Sequence, residues 1–194
     1  MNLENYYYYF NNTVSKDFCK SVLEHGKKLF LTKGTVDEDS LDGVRNSDVA
    51  FISEDWIYSE LEPYLKIANE DANWNFQYDY FEACQFTSYK ENQYYGWHCD
   101  AYRTPYKSKD ENYNNKIRKL SLTLLLNSPD EYEGGEFEID CRNKGNKTEN
   151  ILKPRMKDVG SLIIFPSFVW HRVKPVTKGT RHSLVIWVLG KPYR

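Results

Sequence analysis

The chain has 194 residues, 40% hydrophobic and 16% aromatic, with 26 Lys and Arg against 28 Asp and Glu for a net charge of -2. That length suits one domain burying roughly 70% of the surface its unfolded chain exposes, and the near-zero charge excludes a chain-wide attraction to nucleic acid or to an acidic membrane. The cysteines, Cys19, Cys84, Cys99 and Cys141, form no CxxC pair, and no membrane-length apolar run or signal-peptide pattern is present, so a cytoplasmic protein with reduced thiols is expected.

Apolar residues at Phe18, Val22 and Leu29 predict a helix from Ser15 to about Phe30. Ser15 is placed to cap it, and Gly26 weakens its middle. Val44 to Ile52 reads as a strand. A second helix is predicted from Glu54 to about Asn69, where Ile57, Leu61, Tyr64, Leu65 and Ala68 make one stripe. Ser53 stands ahead of it as a cap, and Pro63 threatens a kink. Residues 1–76 therefore read as a helical support region.

From residue 77 the pattern changes to short β-rich runs between turn residues. They are approximately Tyr78 to Tyr89, Tyr94 to Asp100, Leu120 to Leu126, Glu136 to Asp140, Asn150 to Lys153, Ser161 to Phe165, Phe168 to Val173, and Arg181 to Leu189. Eight runs match a jelly roll. The expected fold is α+β, mainly β: a double-stranded β-helix (jelly roll) of about eight strands flanked by amino-terminal helices. Residues 77–194 form the core of a single domain spanning 1–194. Tyr102 to Lys119 is polar, carries Arg103, Lys107, Lys109, Lys116, Arg118 and Lys119, and reads as a long loop.

The chemistry concentrates at Gly96-Trp97-His98-Cys99-Asp100. Alternation along a strand puts His98 and Asp100 on one face and Cys99 on the other. Two such groups make half of a metal site, and His171, on another predicted strand, could complete a two-histidine, one-carboxylate face with open positions. Short HxD matches arise by chance, and strand histidines are commonly just packed, so the pair alone leaves both readings open. Arg181, ten residues beyond His171, adds context. If those two strands form a hairpin, Arg181 sits one strand away, and a buried arginine there needs an anion. Parity places Arg181, Ser183, Val185 and Trp187 on one face of the last strand, and His182, Leu184, Ile186 and Val188 on the other. A guanidinium clamps a carboxylate with two parallel hydrogen bonds, although a salt bridge within the protein would serve it as well.

Tyr89-Lys90-Glu91-Asn92-Gln93-Tyr94-Tyr95-Gly96-Trp97-His98-Cys99-Asp100 resembles the motif Y-x-x-G-x-x-Y-x-x-H-x-D of the 2-oxoglutarate/Fe(II) dioxygenases, prolyl 4-hydroxylase-like branch, with Asn92 at the glycine position. Arg118 to Thr123, Tyr132 to Phe137, Gly160 to Leu162, Phe165 to Ser167, His171 to Val176 and Gly179 to Arg181 follow the same branch in order, and Val44 to Ser47 extends the likeness. The resemblance implies Fe(II) on His98, Asp100 and His171. It assigns the distal carboxylate of 2-oxoglutarate to Arg181, with Tyr89 beside it and Ser183 and Thr123 as further candidates. Leu124, Leu125 and Leu126 stand where some relatives place a further tyrosine.

The same resemblance implies O2 as cosubstrate, ascorbate as a reductant, and a peptide or protein substrate hydroxylated at proline, with no nucleic acid or membrane partner. The alternatives are the same chemistry on a free amino acid, small metabolite or nucleobase, and a non-catalytic jelly-roll metal-binding module. Trp97, Trp170 and Trp187 either line the pocket or pack the core.

Overall fold

The computed structural model describes residues 5–35, 44–102, 104–141, 150–156 and 158–193. The amino-terminal part holds β1 (Tyr8–Phe10), α1 (Lys16–Lys28), β2 (Thr32–Lys33), β3 (Arg45–Asn46), β4 (Asp48–Ile52) and α2 (Asp55–Asp71). There follow β5 (Tyr80–Phe81), β6 (Cys84–Tyr89), β7 (Tyr94–His98), β8 (Ile117–Leu125), β9 (Tyr132–Gly134) and β10 (Phe137–Asp140). The chain continues through β11 (Ile151–Leu152), β12 (Leu162–Pro166), β13 (Trp170–Val173), β14 (Val176–Gly179) and β15 (Arg181–Gly190).

The strands form two main sheets, the two-layer arrangement of a jelly roll. The larger runs β1-β12-β8-β15-β6-β4-β2, with β5 also paired to β15, and the smaller runs β11-β10-β13-β7-β3. A separate ribbon joins β14 to β9. Every pairing is antiparallel. Among the described residues no helix is long and apolar enough to cross a membrane.

Alternation along β15 divides the interior in two. Leu184, Ile186 and Val188 join Phe86, Leu120, Leu122 and Leu124 in a core shared with Val22 of α1 and Ile57, Leu61 and Leu65 of α2. Each such aliphatic side chain removed from water contributes about 1.5–3 kcal/mol. Arg181, Ser183, Val185 and Trp187 point the other way, into the space between the sheets. The parity read from the sequence is thus the parity of the fold.

Both helices lie close to their expected bounds. Ser15 caps α1 by accepting from the Phe18 amide at 3.1 Å. α2 buries Ile57, Leu61, Leu65 and Ala68 and runs through Pro63, but its cap position is Glu54, not Ser53, and no side chain bonds the first turn there. Gly26 has a purpose beyond weakening the helix. A Cβ at this position would lie 2.4 Å from the Phe86 ring, so the missing side chain lets α1 settle onto β6.

Several boundaries differ from expectation. Val44 to Ile52 is two strands: the chain leaves the smaller sheet after Asn46 and enters the larger at Asp48, turning at Ser47, whose hydroxyl accepts from Arg45 Nε at 2.8 Å. The amino-terminal part therefore supplies β1 to β4 to the sheets as well as the helices. The run from Tyr78 to Tyr89 breaks between Phe81 and Cys84, the run from Tyr94 stops at His98, and β8 begins at Ile117. Arg103 of the expected loop lies outside the described residues. The hairpin expected between the strands of His171 and Arg181 is absent. Val176–Gly179, which reads as a turn because Pro175 and Gly179 bound it, is β14 instead, with an exposed polar run held against β9. β13 and β15 consequently belong to opposite sheets.

The Gly26 contact predicts that Gly26→Ala lowers stability by about 1–3 kcal/mol through overpacking, although alanine is the better helix former. Urea denaturation of the two proteins measures it.

Candidate metal centre and the adjoining pocket

β7 and β13 pair so that His98 and His171 are direct cross-strand partners, which brings their side chains together on one face. Their rings lie 4.1 Å apart by centroid. Asp100 is just beyond the end of β7, where the amides of Asp100 and Ala101 both donate to the Ser167 carbonyl at 2.8 Å. That corner is anchored in turn by the Ser121 and Ser167 hydroxyls, 2.9 Å apart.

Each imidazole has a fixed tautomer. His98 Nδ1 lies 2.8 Å from the Gly96 carbonyl and His171 Nδ1 lies 2.9 Å from the Val169 carbonyl. A carbonyl only accepts, so Nδ1 carries the proton and the Nε2 lone pair is free. Both Nε2 atoms sit 3.6 Å from Asp100 oxygens, His98 from Oδ1 and His171 from Oδ2. The three ligand atoms lie within 4.8 Å of one another. This donor set, two neutral imidazoles and one carboxylate on one side, fits a divalent metal with positions left open opposite.

The surroundings hold these groups in metal-binding form. Burial, reinforced by the charge of His98, pushes His171 down to about 4 against the pull of Asp100. Burial alone would raise the Asp100 carboxyl, but the neighbouring His171, His98 and Arg118 together hold it well below the usual carboxylate range. Tyr95 stacks on His98 at 3.4 Å, and Phe165 and Phe137 flank His171 at 4.6 and 5.5 Å.

Arg181 approaches from the larger sheet. It is 2% exposed, and among the described residues it has no carboxylate partner. Its Nη1 donates to Ser183 Oγ at 3.2 Å, and its guanidinium lies 5.6 Å from the centroid of the Tyr89 ring, its cross-strand neighbour. Burial pushes the Tyr89 phenol up, which keeps it a donor. Tyr89, Thr123, Arg181 and Ser183 share one cavity with His98, Asp100 and His171. All seven residues singled out from the sequence therefore line a single space.

That cavity adjoins a groove of about 430 Å³, with Asp100, Gln85, Tyr95 and Trp187 common to both. The groove adds residues that the sequence reading did not single out for a role. Arg45 lies over Tyr95 at 4.5 Å. Arg118 is gripped by Glu82 through bonds of 2.6 and 2.9 Å and stacks on Trp187 at 3.9 Å. Among the described residues, Arg45 Nη2 and Trp187 Nε1 are buried with no hydrogen-bond partner. Gln85 was reachable by parity from Tyr89, whereas Arg45 and Glu82 come from distant segments that only the fold unites. Of the three tryptophans considered, Trp187 lines the pocket, while Trp97 packs under Arg172 at 4.5 Å.

A fold and site of this kind define a class, and the sequence comparison agrees: the chain belongs to the 2OG-Fe(II) oxygenase superfamily, whose family model matches residues 84–189. Membership implies Fe(II), 2-oxoglutarate and O2. Among individual proteins, a PKHD-type hydroxylase of Xylella fastidiosa is 39% identical over 105 residues, 54% of this chain and 43% of that protein. The match thus spans less than half the length of that relative. Among solved structures, the viral collagen prolyl hydroxylase of Paramecium Bursaria Chlorella virus-1, as its 2OG complex, superposes with a TM-score of 0.69 at 19% identity, covering 96% of this chain and 97% of that one. A Pseudomonas putida prolyl-4-hydroxylase gives a TM-score of 0.70 at 18% identity, covering 97% and 95%. At that identity these two establish a shared fold.

In metal-free protein, the His171 ring resonances are expected to remain those of the Nδ1–H neutral tautomer from pH 7 to about 5 and to titrate near 4. Nitrogen-15 imidazole NMR reads this, and a midpoint near 6.5 would contradict the buried, carbonyl-bonded geometry.

Proposed function

We propose that the protein is an Fe(II)- and 2-oxoglutarate-dependent hydroxylase of prolyl residues in a peptide or protein. The observation that carries this reading is Arg181: a buried guanidinium with no carboxylate partner among the described residues, sharing one cavity with a two-histidine, one-carboxylate set. A plain metal-binding module has no use for such a group, because burying an unpaired charge costs several kcal/mol.

In this reading His98, Asp100 and His171 hold Fe(II) through Nε2, a carboxylate oxygen and Nε2. Arg181 takes the distal carboxylate of 2-oxoglutarate, with Ser183 steadying the guanidinium and Tyr89 and Thr123 completing the polar wall. Iron, O2 and 2-oxoglutarate together supply the oxidising chemistry, in which 2-oxoglutarate becomes succinate and CO2 and one oxygen atom enters the substrate C–H bond. The chain's own contribution is positional. Tyr95, stacked on His98, and Phe137 and Phe165 around His171 fix the imidazoles and exclude water. Ascorbate serves as the external reductant.

The groove supports an extended peptide. Tyr102 and Trp187 offer aromatic surface for a pyrrolidine ring, and the Arg45 Nη2 and Trp187 Nε1 donors, without partners among the described residues, suit backbone carbonyls. The names of the neighbours, collagen prolyl hydroxylase and prolyl-4-hydroxylase, point the same way. We assign the protein to a reducing compartment, the cytoplasm, a reading supported by four free thiols.

The test combines turnover with variants. With Fe(II), ascorbate and a library of proline-containing peptides, succinate formation should match the gain of one oxygen on peptide. Arg181→Ala should raise the 2-oxoglutarate needed for half-maximal turnover by about 30-fold or more, the cost of losing one partner of a buried charge pair. Succinate formed with oxygen appearing only on a small molecule would move the reading to a metabolite hydroxylase. Metal binding without any succinate would leave a metal-binding module.

A further inference from the structure

Four large hydrophobic side chains stand exposed among the described residues: Phe30, Phe51, Trp56 and Ile67. Trp56 and Ile67 belong to α2, and Trp56 is met edge-on by Phe18 at 5.2 Å. Phe51 is of another kind. It is 61% exposed within β4, a strand whose other members, Asp48, Val49, Ala50 and Ile52, are all buried.

Parity explains its direction. Ile52 packs in the helix-side core, so Phe51 turns to the other face of β4, where it lines the groove together with Val49. The strand registers place it in one row across the larger sheet: Phe51 opposite Gln85, Gln85 opposite Val185, and Val185 opposite Thr123. The last three line the metal cavity. Phe51 is thus two strand spacings from Val185 on the same face, roughly 10 Å, a distance that an extended peptide covers in about three residues.

The segment leading into β2 adds a second ring. Leu29 and Leu31 pack against the helix-side core, and Phe30 between them is 88% exposed. β2 pairs with β4 through Thr32–Val49 and Lys33–Asp48, and that register, continued by two residues, sets Phe30 opposite Phe51. Single exposed apolar residues are ordinary, whereas neighbouring ones beside a groove mark a contact surface. The charges on these two strands are already matched: Lys33 pairs with Asp48 at 2.7 Å, and Asp48 also holds Lys90 at 3.2 Å. This end of the groove therefore suits an apolar group better than an ionic one.

Resting on the peptide-hydroxylase reading, we propose that Phe51 is a specificity-determining residue. With Phe30 beside it, it receives a large apolar side chain of the substrate peptide, about three residues along the chain from the proline that is hydroxylated. Selectivity arises because an apolar partner leaves water together with the exposed ring, whereas a polar one would be stripped of its hydration for no hydrogen bond in return.

The experiment uses synthetic peptides with one proline in a background of glycine, alanine and serine, and a single leucine or phenylalanine moved stepwise along either side of it. Succinate formation reports turnover. Anisotropy of the labelled peptides reports binding to protein holding Fe(II) and 2-oxoglutarate without oxygen. An apolar residue two to four positions from the proline, on one side, is expected to raise kcat/KM and to tighten binding by about tenfold over serine at the same position. Phe51→Ser should bring that ratio close to one, Phe51→Leu should keep most of it, and Ile67→Ser, on α2, should keep all of it. Should Phe51→Ser fail to fold, Phe51→Thr, a better strand former, takes its place. Peptides oxygenated equally well wherever the apolar residue stands, or a preference that persists without Phe51, would overturn this proposal alone. Absence of oxygen on every peptide would overturn the peptide-hydroxylase reading, and the proposal with it.

Discussion

The site depends on one register: the antiparallel pairing of β7 with β13 that sets His98 opposite His171. In a sheet of period two, a slip by one residue would turn one histidine to the other face and Trp97 or Arg172 toward the metal position. Pairing alone does not complete the set, because Asp100 lies past the end of β7. Its place comes from two amides closing on the Ser167 carbonyl, at the corner between β12 and β13. The candidate metal face is thus assembled by backbone geometry, with the aromatic rings of Tyr95, Phe137 and Phe165 packed against its histidines.

Opposite it the larger sheet contributes a cation. Arg181, Ser183, Val185 and Trp187 face inward because Leu184, Ile186 and Val188 are claimed by the helix-side core. Hydrophobic burial on one face of β15 therefore dictates where the guanidinium points on the other. The fold brings a carboxylate held in its charged form and an arginine that has no carboxylate partner among the described residues to one cavity, two charges that are costly without ligands to complete them.

Much of this was legible in the sequence because strand parity needs only local information. The HxD spacing, the inward set on the last strand and the β-rich second half with two leading helices follow from alternation and periodicity. What was not legible depends on which strands become neighbours. Val176–Gly179 has the proline and glycine flanks of a turn, yet pairs with Tyr132–Gly134 and sends β13 and β15 to opposite sheets. The Arg118–Glu82 pair joins residues 36 apart, and Arg45 reaches Tyr95 because β3 pairs with β7 and sets the two residues opposite each other. Gly26 looked like a weak point in a helix until Phe86 was seen beside it.

The most direct test of the two-sheet site is an anaerobic titration of metal-free protein with Fe(II) and then 2-oxoglutarate, watching for the visible charge-transfer band of the chelate. The account predicts that the band forms in the native protein, disappears in His171→Ala, and in Arg181→Ala appears only at much higher 2-oxoglutarate. Iron binding without any band in the native protein would contradict it, since the metal face and the guanidinium would then not be serving one ligand.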